Sequence, residues 1–137
     1  MTQKIIVMRH AYEGCLGQTR NEAAIVRETN RIGQEVSEIY PNISQELRDY
    51  NIIEIVSSLV DRAIVTASKL EELVKDEGKQ TTKNERSALN NHGNSIYEII
   101  EEYRQRKDID AVVMVTHESE MLALGHSKPK NLDYVVL

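Results

Sequence analysis

Two apolar runs in the chain each stop at a histidine: KIIVMRH, from Lys4 to His10, and AVVMVTH, from Ala111 to His117. Each is a short, nearly continuous aliphatic stretch, the pattern of a strand covered on both faces. In open α/β sheets ligands collect beyond the carboxyl ends of the strands, so both histidines stand where a site would form. If the two strands are neighbours, a spacing of about 4.8 Å lets both imidazoles converge on one small ligand. Arg62 follows a third run, NIIEIVSS from Asn51 to Ser58, and falls in the first turn of the next helix, where N–H groups without helical partners favour an anion. Arg9 adds a second guanidinium beside His10.

Two guanidiniums and two imidazoles around one pocket are a costly gathering of like charge unless an anion fills it. A phosphoryl group fits. The planar forks of Arg9 and Arg62 suit its three equatorial oxygens and neutralise charge as Mg²⁺ does in many phosphotransferases, so no metal or other cofactor is expected. A neutral imidazole has a lone pair for in-line attack on phosphorus, and a covalent phosphohistidine divides the reaction into transfer and hydrolysis. The second histidine would bind a phosphoryl oxygen and stabilise the transition state. Taken singly, each histidine is equally a polar cap at a strand end and Arg62 an ordinary surface residue; their convergence is what implies chemistry.

The same segments resemble a known family. VMRHA resembles the Arg-His-Gly/Ala signature of the histidine phosphatase (phosphoglycerate mutase-like) superfamily, SSLVDRAIVTA its Ser-Pro-Leu-x-Arg-Ala-x-x-Thr-Ala segment, and VMVTHE its second-histidine segment. The three occur in the family's order and span almost the whole chain. The resemblance implies a three-layer α/β/α sandwich with a mainly parallel central sheet, His10 as nucleophile, and Arg9, Arg62 and His117 as the phosphate pocket. The small size, Ala11 after His10 and ALNNHGN before the third helix are most similar to the short SixA-type phosphohistidine phosphatases. Mutases and fructose-bisphosphatases of the superfamily carry long insertions over the site, for which this chain has little room.

The activity so implied is metal-independent hydrolysis of a phosphomonoester or of protein phosphohistidine, with phosphate or vanadate as a pocket ligand. A domain that keeps the pocket and binds phosphate or a protein partner without turnover is the rival. The acid that protonates the leaving group stays open among Glu118, which directly follows His117, Glu85 and Glu13. For phosphohistidine, whose leaving group is good, a strong acid is dispensable. Two departures from the pattern stand out: Ser58 in the proline place of Ser-Pro-Leu, which relaxes the turn holding Arg62, and Thr116 for the commoner Gly before the second histidine.

The elements that must position these groups follow from periodicity. LDYVVL reads as a fourth strand and Lys79 to Lys83 as an edge strand. Ile32, Val36, Ile39 and Tyr40 share one helical face until Pro41 stops the segment. A second helix should begin near Ser58, with its hydroxyl as cap and Asp61 three residues on, and end at Gly78. A third fits Asn94 as cap, a buried stripe of Ile96, Ile99, Ile100 and Tyr103, and a solvated basic end at Arg104, Arg106 and Lys107. Residues 11–28 and 84–93 read as irregular loops bordering the site. Alternating strands and helices give a parallel sheet with right-handed crossovers, in a single domain over residues 1–137.

Composition bounds the partners. With 40% hydrophobic and 28% charged residues the chain is neither disordered nor membrane-spanning. A net charge of -5 and the absence of Phe and Trp argue against a nucleic-acid partner. Cys15 alone makes no internal disulfide, and the cytoplasm is the expected compartment. Cys15 and Arg20 are one residue too close for the phosphate loop of a cysteine phosphatase, and His92 and His126 lack the neighbours a metal site needs.

Overall fold

The computed structural model of the chain describes residues 3–11, 20–90 and 93–137. In chain order the elements are β1 (Lys4–Arg9), α1 (Glu22–Glu46), β2 (Ile52–Ser57), α2 (Asp61–Asp76), β3 (Gln80–Glu85), single 3₁₀ turns at Ser87–Leu89 and Gly93–Ser95, α3 (Ile96–Gln105), β4 (Ala111–Thr116), α4 (Glu118–Ala123) and β5 (Tyr134–Val136). The strands form one sheet in the order β3-β2-β4-β1-β5, parallel except for β5. The chain therefore has the expected α/β architecture, with helices on both faces of a mainly parallel sheet.

Strand alternation divides the interior into two cores. Ile6 and Met8 of β1, Ile53 and Ile55 of β2, and Val113 and Val115 of β4 pack against Ile32, Val36 and Ile43 of α1 and Ala67, Leu70 and Val74 of α2. Ile5, Val7, Val56, Val112 and Met114 point the other way, onto Ile96, Ile99 and Tyr103 of α3 and Met121 of α4. Every residue of β4 is buried, as its unbroken apolar run requires of a central strand. At roughly 1.5–3 kcal/mol for each fully buried aliphatic side chain, this strand fixes the sheet's middle. Its register with β1 pairs Arg9 with Thr116, so His10 and His117 leave the sheet side by side.

Several local readings are corrected. α1 runs through Pro41 to Glu46, and residues 22–28 are helix rather than loop. An interior proline costs about 3 kcal/mol in a helix. Pro41 itself is exposed, while Tyr40, Ile43 and Leu47 around it are buried, and that burial outweighs the lost bond. The helix is capped by Asn21, whose side chain accepts from the Ala24 N–H at 3.0 Å. α2 starts at Asp61 with Val60 as an N-cap that makes no side-chain bond, so Ser58 is not its cap. Its stop is as expected: Gly78 takes φ +83°, a left-handed turn that a Cβ disfavours. The N-cap of α3 is Ser95, and the side chain of Asn94 lies outside the described residues. The edge strand extends past Lys83 to Glu85, and α4 is too short for periodicity to have revealed it.

The basic end of α3 also differs from expectation. Arg104 and Lys107 are exposed, but Arg106 donates Nη1 to both oxygens of Glu54, at 3.1 and 3.2 Å, and its Nε and Nη2 to Asp108. Glu54 sits in β2 at 2% exposure and also accepts from the Tyr103 hydroxyl and from Thr82 Oγ1. Burial, reinforced by the Glu54 carboxylate, holds the Tyr103 phenol proton well above the ordinary tyrosine range.

At the same end of the sheet Asp110 Oδ2 accepts the N–H groups of Asn51 and Ile52, both at 3.0 Å. These bonds hold its carboxyl below the usual aspartate range. A pKa lower in the folded than in the unfolded chain gives stability that is complete above the unfolded value, about 3.9, and is lost as pH falls through the folded one. Asp110→Asn is therefore expected to flatten the acid side of the stability curve while lowering stability at neutral pH by about 1 kcal/mol or less, since the group is partly exposed. Melting temperatures measured by circular dichroism from pH 6 to pH 2 test this, and identical slopes in both proteins refute it.

Candidate active site

The ladder continues one residue beyond the strands. His10 N–H donates to Thr116 O at 3.0 Å and Ser58 N–H to Val115 O at 3.1 Å, so both residues leave the sheet while still held by it. His10 keeps the phase of Met8 and His117 that of Val115, which turns both rings toward α2. Their centroids are 5.0 Å apart with 66° between the planes, an edge-to-face pair. The rings are 1% and 5% exposed, buried enough that each nitrogen's partner matters.

The bonds of His10 assign its tautomer. Nδ1 lies 2.7 Å from the carbonyl oxygen of Ala11, which only accepts, so Nδ1 carries the proton. Nε2 then holds the lone pair, and Arg62 donates its Nε–H to it at 3.2 Å. Arg62 reaches there from the first turn of α2, where it is half-buried. Thr66, one turn further, donates Oγ1–H to Arg62 O at 2.7 Å and accepts the Ala11 N–H at 3.1 Å. The start of α2 is thus tied to the segment that follows the nucleophile candidate.

Three of the four pocket residues expected from the sequence, His10, Arg62 and His117, meet in this way. Arg9 ends β1 in the phase of Val7, and its Nη1 donates to Pro129 O at 2.8 Å, anchoring the stretch that leads to β5. Glu118 is exposed at the first position of α4, directly beside His117. Glu85 ends the edge strand opposite Ser57 and is also exposed. With β2 and β4 between β3 and β1, its backbone lies three strand spacings, about 14 Å, from that of β1. Glu13, Cys15 and His92 lie outside the described residues. His126 does have a carboxylate neighbour: its Nε2 is 3.7 Å from Asp133 Oδ2.

Sequence reasoning missed Ser58, Thr66 and Glu120. Ser58 is fully buried and its Oγ is 2.9 Å from His117 Nε2. Counted back from Arg62, Ser58 fills the serine place of Ser-Pro-Leu-x-Arg and Leu59 the proline place, so Ser58 does not loosen this turn. Leu59 uses the N–H that proline lacks, donating to Asn90 Oδ1 at 2.7 Å and joining the site's rim to the 87–90 turn. Thr116, in the place of Gly, bonds through Oγ1 to Leu89 O at 3.0 Å and Glu120 Oε1 at 2.8 Å. Glu120, itself fully buried, accepts through Oε2 from Gly93 N–H and Ser119 Oγ. This network fastens the turns at Ser87–Leu89 and Gly93–Ser95 beside α4. Ser58 and Thr66 both fall in SSLVDRAIVTA, the segment whose pattern was visible, but the site groups they bond, the His117 ring and the Ala11 N–H, lie 59 and 55 residues away.

No family model matches the chain. Among solved structures it is similar to a protein of Agrobacterium tumefaciens assigned as the phosphohistidine phosphatase SixA, with a TM-score of 0.60 and 16% identity over 100% of this chain and 92% of that one. It is similar to the phosphoglycerate mutase of Plasmodium falciparum, with a TM-score of 0.56 and 15% identity over 98% and 82%. A protein of Nakamurella multipartitia, also assigned as SixA, gives a TM-score of 0.50 and 21% identity over 90% and 63%. At these identities the likeness establishes the fold, the phosphoglycerate mutase-like sandwich that the signature segments implied. In sequence, the chain is 27% identical over 133 residues to an H/ACA ribonucleoprotein complex subunit 2-like protein of Caenorhabditis briggsae, covering 88% of this chain and 82% of that protein.

Proposed function

We propose that this chain is a metal-independent phosphatase that hydrolyses a phosphomonoester or a protein phosphohistidine through a covalent phosphate on His10 Nε2. The observation that carries the reading is the state of the His10 ring: Nδ1–H is committed to Ala11 O, which leaves Nε2 as the nitrogen with a lone pair, beside Arg62 and His117. In the first step Nε2 attacks phosphorus, the N–P bond forms, the bond from phosphorus to the leaving group breaks, and that group takes a proton. In the second, water attacks phosphorus and gives a proton back to Glu118, the N–P bond breaks, phosphate departs, and the lone pair returns to Nε2. The guanidinium of Arg62 and the His117 ring hold the equatorial oxygens. Glu118, adjacent to His117, is the proton donor to the leaving group, a role for which the backbone of Glu85 starts about 14 Å away.

The fold shared with proteins assigned as SixA supports the phosphohistidine branch of this reading. The ribonucleoprotein in the name of the C. briggsae relative is not carried over, because a net charge of -5 opposes a nucleic-acid footprint. The deciding experiment is hydrolysis of p-nitrophenyl phosphate and of a phosphohistidine protein in the presence of a chelator. Turnover of either supports the proposal; vanadate binding with neither substrate consumed favours the non-catalytic rival. Arg62→Lys keeps one positive charge but loses the planar fork. It is expected to lower kcat by roughly 100-fold, the scale of one oxyanion donor. A kcat within threefold of wild type removes Arg62 from the transition state.

A further inference from the structure

The hydroxyl of Ser58 has few choices. Its oxygen already receives the Val60 N–H at 3.4 Å, its own N–H is bonded to Val115 O, and its carbonyl accepts from Ser57 Oγ at 2.9 Å. The residue is fully buried, so the hydroxyl proton needs an acceptor within the protein, and His117 Nε2 stands 2.9 Å away. Which ring nitrogen of a histidine is protonated is set by the bond that the other one makes. We propose that Ser58 is the positioning residue of His117: it donates to Nε2, fixes the Nδ1–H tautomer and the ring plane, and makes Nδ1–H the group through which His117 meets a phosphoryl oxygen.

The two rings then share one tautomer and play opposite parts. His10, with Nδ1–H on Ala11 O, turns its Nε2 lone pair toward phosphorus, and His117, with Nε2 on Ser58, offers a proton. The other neutral tautomer of His117 would set a lone pair against an oxyanion, replacing a hydrogen bond by repulsion. The catalytic meaning of this arrangement rests on the phosphatase reading, whereas the tautomer itself does not.

The test is a long-range ¹H–¹⁵N correlation spectrum of the imidazoles in the full chain, for wild type, Ser58→Ala and Ser58→Thr near neutral pH. Wild type is expected to show His117 as the Nδ1–H form, Ser58→Ala to lose that form, and Ser58→Thr, which keeps the hydroxyl, to retain it. With p-nitrophenyl phosphate, Ser58→Ala is expected to lower kcat by about 10–100-fold, the scale seen when the hydrogen-bond partner that orients a metal-ligating histidine is removed, with KM within about twofold. Ser58→Thr restores most of the loss. Finding His117 as Nε2–H in wild type, or unchanged in Ser58→Ala, overturns the proposal, and the wild-type spectrum alone decides it should the alanine variant fail to fold. If wild type consumes neither phosphatase substrate, the phosphatase reading falls while the spectra still decide the role of Ser58.

Discussion

His10→Ala is expected to lower phosphatase turnover by at least about 1,000-fold and to leave the fold in place. On the mechanism proposed above, loss of the nucleophile removes the whole two-step route, and such losses reach about 10³–10⁶-fold elsewhere. The residue lies beyond β1, and its main-chain N–H bond to Thr116 O does not depend on the side chain. What the variant gives up in structure is the ring's contact with His117 and its bonds to Ala11 O and Arg62. The near-native ellipticity of the variant and its loss of a trapped phosphoenzyme complete the test. Residual turnover within tenfold of wild type would mean that phosphorus is attacked by something other than His10.

Glu54→Ala is expected to cost about 3 kcal/mol of stability and to lower the melting temperature by roughly 10 °C. Glu54 is 2% exposed and accepts from Tyr103, Thr82 and Arg106 at once, so truncation strands a buried tyrosine hydroxyl and opens a cavity in the α3 core. The Arg106 guanidinium is less of a burden, because at 37% exposure it keeps Asp108 and water. Glu54→Gln preserves the volume and one acceptor and is expected to lose only about half as much. Urea unfolding of the three proteins measures both differences. Equal stabilities of all three would show that neither the bonds nor the packing of Glu54 supports the fold.

How much of this was written in the sequence depends on the range of the interaction. β1 and β4 were legible because a strand buried on both faces reads as an unbroken aliphatic run, and their terminal histidines followed. That β4 lies between β1 and β2 was not legible, since pairing across about a hundred residues leaves no local mark. Ser58 shows the competition most clearly. A local rule made it a helix cap, but its hydroxyl bonds His117, 59 positions away. Pro41 likewise read as a stop because its local cost is plain, while the packing of Tyr40 and Ile43 that overrides it comes from elsewhere in the fold. Glu54 within NIIEIVSS carried no sign of its partners on α3 and beyond. The convergence of His10, Arg62 and His117 was readable as strand-end chemistry, whereas the remoteness of Glu85 required knowing that both β2 and β4 lie between the edge strand and β1.

The 3.2 Å contact from Arg62 Nε to His10 Nε2 joins a group on α2 to one just beyond β1, and Thr66, bonded to Arg62 O and to the Ala11 N–H, closes the same span one turn further on. Strand end and helix start are thereby cross-braced, so the imidazole has a direction that neither element could set alone.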